Sequence, residues 1–195
     1  MATQHGSGPG IAVVAFGRNR ELDTPADNII LIGPMGAGKT TIGRNLAKQL
    51  HKKFFDSDQE IEKQTGAAIN LIFEIEGEEG FRDRESRIIE TLTQRRNIVL
   101  ATGGGVILRE KNRRALRRSG TVIYLHTPIE TQLKRTTSSK HRPLLLTDDP
   151  VERLSSLMSI REPWYRQEAD IIVRSNDRSP HSVVRELMRE LGASQ

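Results

Sequence analysis

The sequence predicts an α/β protein, a three-layer α/β/α sandwich around a mostly parallel sheet. Two observations predict it. From Asn28 onward, short apolar runs alternate with stretches of helical spacing, which is how βαβ units with a sheet covered on both faces read. The first apolar run leads directly into a glycine-rich loop and then into a helix, at the end of the strand where such sheets bind ligands.

Strands are expected at Asn28–Ile32, Phe54–Asp56, Val99–Ala101 with its flanks, Thr121–Leu125 and Asp170–Val173, of which Phe54–Asp56 is the weakest. All are runs too short for helices and suit strands buried on both faces. Helical spacing covers Lys39–Leu50, Glu78–Gln94, Lys111–Arg117, Ile129–Thr136, Pro150–Gln167 and Pro180–Leu191. In the first of these, Ile42, Leu46, Ala47 and Leu50 form the apolar stripe. Residues 1–27 mix glycine and proline with scattered charge and no period, and are expected to be a poorly ordered extension. Residues 28–195 contain no internal repeat and are expected to form a single domain, a size one core can serve.

Bulk composition narrows the functional classes. No run approaches the roughly 18 apolar residues of a membrane span. The patch Ile11–Phe16 lacks the basic region and cleavage site of a signal peptide. The 195 residues include no cysteine, which excludes disulfides, thiolate metal sites and cysteine nucleophiles and fits a reducing, cytoplasmic compartment. The net charge of +5 suits anionic small molecules. Nucleic acid is disfavoured, because aromatic residues make up only 4% of the chain and leave few platforms for bases.

Gly33-Pro34-Met35-Gly36-Ala37-Gly38-Lys39-Thr40 fulfils the phosphate-loop pattern G-x-x-x-x-G-K-[ST]. A strand enters the loop and an amphipathic helix leaves it. Glycines are needed because the loop wraps phosphates with its own N–H groups, and the helix N-terminus adds partial positive charge. Gly36, Ala37, Gly38, Lys39, Thr40 and Thr41 are therefore expected to hold ATP. Lys39 would reach the β- and γ-phosphates and the Thr40 hydroxyl would ligate Mg²⁺. The short chain has no apolar run ending in Asp-Glu of the ATPase kind, which favours a compact small-molecule kinase over an ATPase.

Four further segments describe an acceptor. Asp56 and Asp58 close the second strand at i, i+2, on one side of an extended chain. Asp58 can draw a proton from an attacking hydroxyl, or it or Ser57 can simply N-cap the helix Gln59–Gln64. Arg82 and Glu85 stand i, i+3 in a charged helix, either as a surface ion pair or as a guanidinium held ready for a carboxylate. Gly103-Gly104-Gly105 follows a buried strand, where three glycines make sense if backbone N–H groups approach a ligand closely. Arg135 and Lys140–Leu145 form a basic stretch. It can be a solvated loop, or a lid over ATP that brings Arg142 to the transferring phosphoryl group. Arg161 precedes Pro163, Trp164 and Tyr165 in a helix the proline should interrupt; the two aromatics are expected to be structural. Two arginines outside the nucleotide site ask for a carboxylate and Asp58 asks for hydroxyls, so a compact polyhydroxy acid is the implied acceptor.

In this order, the segments from Asn28 to Leu191 resemble the shikimate kinase family. The features carrying the resemblance are Gly33–Thr41 with Gly43, Phe55-Asp56-Ser57-Asp58, Gly80-Phe81-Arg82 with Glu85, the triple glycine, Arg142-Pro143-Leu144-Leu145, Arg161 with Pro163 and Tyr165, and Asn176–Pro180. The resemblance implies a five-stranded parallel sheet of the nucleoside-monophosphate-kinase type with a mobile lid, spanning about residues 135–148. It implies ATP- and Mg²⁺-dependent phosphorylation of the 3-hydroxyl of shikimate by a cytoplasmic monomer. Asp58, Arg82, Gly103, Gly104, Gly105 and Arg161 would then hold shikimate. Lys39 and Arg142 would stabilise the transferring phosphoryl group, Thr40 and Asp56 the magnesium, and Arg178 would lie beside adenine. Trp164 departs from the family's smaller aliphatic residue, and residues 1–27 have no counterpart. A gluconate-type sugar-acid kinase shares the phosphate loop and paired aspartates but lacks the triple glycine and the Arg-Pro-Leu-Leu segment. A non-catalytic regulatory domain is a further alternative, opposed by the joint presence of Lys39, Asp58 and Arg142.

Overall fold

The computed structural model describes residues 27–136, 149–175 and 178–192. The rest of the expected N-terminal extension, Arg142 with most of the expected lid, and Asn176–Asp177 lie outside the described residues.

Five strands, β1 (Asn28–Ile32), β2 (Lys53–Asp56), β3 (Ile98–Ala101), β4 (Gly120–His126) and β5 (Ile171–Arg174), form one sheet in the order β2-β3-β1-β4-β5. Every pairing is parallel. The helices are α1 (Lys39–Gln49), α2 (Ser57–Thr65), α3 (Ile69–Thr93), α4 (Glu110–Ser119), α5 (Ile129–Thr136), α6 (Pro150–Glu168) and α7 (Pro180–Glu190), with a 3₁₀ turn at Val106–Leu108. The expected three-layer sandwich is what forms.

Strand alternation divides the core. Ile29, Leu31, Val99, Ile123, Leu125, Ile171 and Val173 point to one face and pack with Ile42 and Leu46 of α1 and Val183 and Leu187 of α7. Ile30, Ile32, Leu100, Val122, Tyr124 and Ile172 point to the other, against α3, α4 and α6. Both faces are covered, so the strands read as unbroken apolar runs. Asn28 is the buried polar exception. Its amide accepts from Ile98 N at 3.1 Å and donates to Arg95 O at 2.7 Å, stitching the start of β1 to the entry of β3.

Two helices differ from expectation. α3 begins nine residues before Glu78, and Gly77 (φ 69°, ψ −176°) breaks its helical path at the residue before the expected start. The helical period of 78–94 was therefore correct, while the segment before the kink was too short and mixed to declare itself. α6 has the expected span to within a residue, Pro150–Glu168, but Pro163 lies inside it without interrupting it. Proline has no N–H to give the carbonyl four residues back, yet packing of Met158, Arg161 and Tyr165 into the interior carries the helix through.

Candidate active site

The phosphate loop leaves the carboxyl end of β1. Gly33 adopts φ 141°, and a side chain there would press to 2.7 Å from Leu125 O of the adjacent strand. Gly38, left-handed at φ 85°, starts α1. The loop's carbonyls are turned into the protein. Gly36 O accepts from Arg135 Nη1 at 3.1 Å, Ala37 O from Ser175 Oγ at 3.0 Å, and Gly33 O and Pro34 O from Lys39 Nζ at 2.7 Å each. The opposite edge faces a cavity, which Gly36, Gly38, Lys39, Thr40 and Thr41 line. Ala37 is itself fully buried. Arg135 also donates to Ser175 O at 3.0 Å, tying the loop to the end of β5.

The paired aspartates do different work. Asp56 ends β2 and caps α2, its Oδ1 accepting from Asp58 N at 3.1 Å and Gln59 N at 3.4 Å. The capping role considered for Asp58 or Ser57 thus belongs to Asp56, and α2 starts at Ser57 rather than Gln59. Asp58 sits in the first helical turn and not in extended chain, and both carboxylates line the same cavity. Thr40 Oγ1 donates to Asp56 Oδ2 at 2.7 Å, which brings two hard oxygen donors together beside the phosphate loop.

Asp58 Oδ1 is buried and has no hydrogen-bond partner among the described residues. Burial, reinforced by the nearby Asp56 and Glu85 carboxylates, pushes its carboxyl up to about 7 against the pull of Lys39 and Arg82. A carboxyl so placed is a stronger base than a free aspartate.

Arg82 and Glu85 form a buried pair, not a surface one, with exposures of 5% and 0%. Arg82 Nη1 donates to Glu85 Oε2 at 3.0 Å and Nη2 to Glu78 Oε1 at 3.0 Å. Burial works against the guanidinium's charge, but these carboxylates outweigh it and raise its affinity for the proton. Burial raises Glu85, opposed by Arg82. Arg161, 4% exposed, is lowered by burial. Two buried cations with fewer carboxylates than they can bind leave capacity for an anionic ligand.

The triple glycine turn closes this region, and Gly103 and Gly105 have a further reason to lack side chains. A Cβ on Gly105 would fall 2.1 Å from Arg82 Nη1, and one on Gly103 would fall 2.7 Å from Asp58 Oδ1 and 2.9 Å from Glu85 Oε1. The glycines make room for the charged side chains pressed against them. Nor is the Gly103 amide available to a ligand, because it donates to the buried Ser57 Oγ at 2.9 Å.

These residues meet in one cavity of about 690 Å³. It brings together Lys39, Thr40, Asp56, Asp58, Arg82, Gly103, Gly104, Gly105, Arg135 and Arg161. Arg178 is not in its lining; its guanidinium pairs with Glu186 at 2.5 Å. Sequence reasoning missed an apolar wall made by Ile69, Phe73 and Phe81, whose two rings pack at 4.5 Å. It also missed Ser57, Glu78 and Tyr165. Phe73 lies in the unpredicted first part of α3, so no periodic signal marked it. Tyr165 is fully buried and donates its hydroxyl to Gly104 O. Trp164 is structural as expected, its ring 3.8 Å from the Arg113 guanidinium.

The arrangement can hold a phosphate chain on one side and a hydroxylated carboxylate on the other, with a base between them. Among known proteins, the sequence model of the shikimate kinase family matches residues 35–192. A shikimate kinase of Pseudomonas syringae pv. syringae is 54% identical over 164 residues, 84% of this chain and 95% of that protein. One from Thioalkalivibrio sulfidiphilus is 55% identical over 166 residues, 85% of this chain and 87% of that protein. The solved structure of a shikimate kinase from Acinetobacter baumannii in complex with shikimate superposes with a TM-score of 0.84 at 47% identity, covering 87% of this chain and 94% of that one.

Proposed function

The chain belongs to the shikimate kinase family, and from that premise we infer its function: it transfers the terminal phosphate of ATP to the 3-hydroxyl of shikimate, giving shikimate 3-phosphate and ADP. The observation that carries the reading is the single cavity whose one wall is the phosphate loop and whose other wall is Asp58, Arg82, Arg161 and the glycine turn.

On this reading Arg82 and Arg161 take the acceptor's carboxylate, and Asp58 its ring hydroxyls. The reacting hydroxyl oxygen attacks the γ-phosphorus as the bond to the ADP oxygen breaks, and its proton passes to the Asp58 carboxylate. Little covalent help is required in such a transfer, so alignment and charge stabilisation dominate. Lys39, which donates to Gly33 O and Pro34 O and lines the same cavity, serves the transferring phosphoryl group. Gly36–Thr41 cradle the phosphates, and Arg135 and Arg178 serve the nucleotide. Arg142 lies outside the described residues; its assignment to the phosphoryl group is part of the same proposal.

Thr40 and Asp56 suit Mg²⁺, a hard cation usually bound by one or two protein oxygens together with phosphate and water. Among the described residues no group of three or more acidic or imidazole side chains offers an all-protein cage, in keeping with a cation that arrives with ATP. When bound, Mg²⁺ neutralises charge developing on the β- and γ-phosphates. A cytoplasmic monomer is part of the same proposal. No helix of the described residues is long and apolar enough to cross a membrane.

A coupled assay of ADP release tests the reading. Release is expected to depend on shikimate and to stay at background with gluconate. Turnover with gluconate alone would reinstate the sugar-acid kinase reading, and none with either acid would favour a non-catalytic binding domain.

A further inference from the structure

Beneath the cavity floor, Tyr124 of β4 and Tyr165 of α6 stack with ring centroids 5.0 Å apart and 24° between planes. Both are fully buried, and neither lines the cavity. Chemically alike, they differ in what their oxygens meet. The Tyr124 hydroxyl has no hydrogen-bond partner among the described residues. The Tyr165 hydroxyl donates to Gly104 O, and the buried Arg161 guanidinium, one turn earlier on the same helix, acts electrostatically on the same phenol.

Arg161 and Tyr165 are i, i+4 on α6 and share a helix face. A guanidinium on a long stem needs partners to fix its fork, and the phenol one turn away is one. Gly104 in turn rests on the phosphate loop. A Cβ there would lie 3.5 Å from both Gly33 O and Met35 N, and 3.6 Å from the Tyr165 oxygen. One hydroxyl is thus bonded to the middle glycine, and through it to the loop, from the helix face that also carries Arg161. Burial pushes the phenol far above its ordinary range, so it stays a donor at any pH at which the protein is folded.

We propose that the Tyr165 hydroxyl is a positioning group of the acceptor half, holding Arg161 and Gly104 in register with each other and with the phosphate loop. It acts through those two residues and not on the reacting atoms. The proposal rests on the shikimate-kinase reading of the same cavity.

Tyr165→Phe tests it, since the change keeps ring, stack and volume and removes one oxygen. Steady-state kinetics should show the KM for shikimate rising about tenfold, the scale of a lost hydrogen bond to a charged group. The Kd for ATP, measured by calorimetry without acceptor, should stay within about twofold. Tyr124→Phe, the same change on the other ring of the stack, should leave both values unaltered. Combining Tyr165→Phe with Arg161→Lys should be clearly less than additive in shikimate affinity, as expected of groups that act as a unit. An unchanged shikimate KM, equal losses for ATP and shikimate, additivity with Arg161→Lys, or failure of Tyr165→Phe to fold would each assign the hydroxyl to general packing and overturn the proposal. Absence of shikimate-dependent turnover in the wild-type protein would instead remove the functional reading, and this inference with it.

Discussion

The two walls of the cavity are built on different plans. The donor wall is one contiguous stretch, Gly33–Thr41, working mainly through backbone, its carbonyls held by Arg135, Ser175 and Lys39. The acceptor wall is made of side chains from α2, α3 and α6 set around the glycine turn after β3, several of them charged and buried. A backbone wall is set by local chain geometry and a helix terminus. A wall of buried charges holds only while every partner is in place. The contrast predicts that single substitutions on the acceptor wall separate the two substrates sharply, and that those behind the donor wall act gently.

Asp58→Asn carries the largest expected effect. Loss of a general base should lower kcat on the order of 10²–10⁴-fold, and a kcat within about threefold of wild type would remove Asp58 from that role. The same change should stabilise the fold. Burial pushes the carboxyl up to about 7 in the folded chain, from the 3.8 of a free aspartate, so its ionisation opposes folding increasingly between those values. Below about pH 4 variant and wild type should therefore melt alike. The variant's advantage in Tm should grow as pH rises through about 7 and then level off; a pH-independent difference would contradict the buried, unpartnered carboxylate.

Arg82→Ala comes next. It strips Glu85 of its buried partner along with the expected carboxylate anchor, and shikimate affinity should fall on the order of 10²-fold. ATP affinity, measured in the same titration series, should change less than threefold. Equal losses would erase the distinction between the walls.

Arg135→Met should produce the smallest effect, and the reverse one. It frees Gly36 O and Ser175 O, so the KM for ATP should rise about three- to tenfold, the scale of a net hydrogen bond or two, while the KM for shikimate stays put. A larger change in shikimate KM than in ATP KM would show that the loop and the acceptor wall move as one.

The same contrast explains what the sequence disclosed. The phosphate loop was legible because its chemistry lies in consecutive residues with an obligatory strand before and helix after. The layers and four of the five strands were legible from apolar runs covered on both faces, and β2, with its half-exposed phenylalanines, was correspondingly faint. The acceptor residues could be named but not their surroundings. Nothing in Arg82 and Glu85 at i, i+3 distinguishes a surface pair from a buried one until α3 is laid against the turn after β3. Asp56 and Asp58 look equivalent until the helix start is known to fall between them. Tyr165 reads as an anchor of α6 because its partner Gly104 is 61 residues away.

The glycine turn also bears on how this site can be altered by mutation. Along Gly103–Gly105 the wall consists of backbone with charged groups packed directly behind it, so no side chain is there to be exchanged. Enlargement at Gly105 is opposed as well, because a Cβ there meets the Arg82 guanidinium, itself held by Glu85 and Glu78. Variation in acceptor preference is therefore channelled to the opposite side, to Ile69, Phe73 and Phe81. Ile69 and Phe73 belong to the part of α3 set apart by the break at Gly77. The site has one fixed jaw and one adjustable jaw, and a search for altered substrate range should randomise the second and leave the first alone.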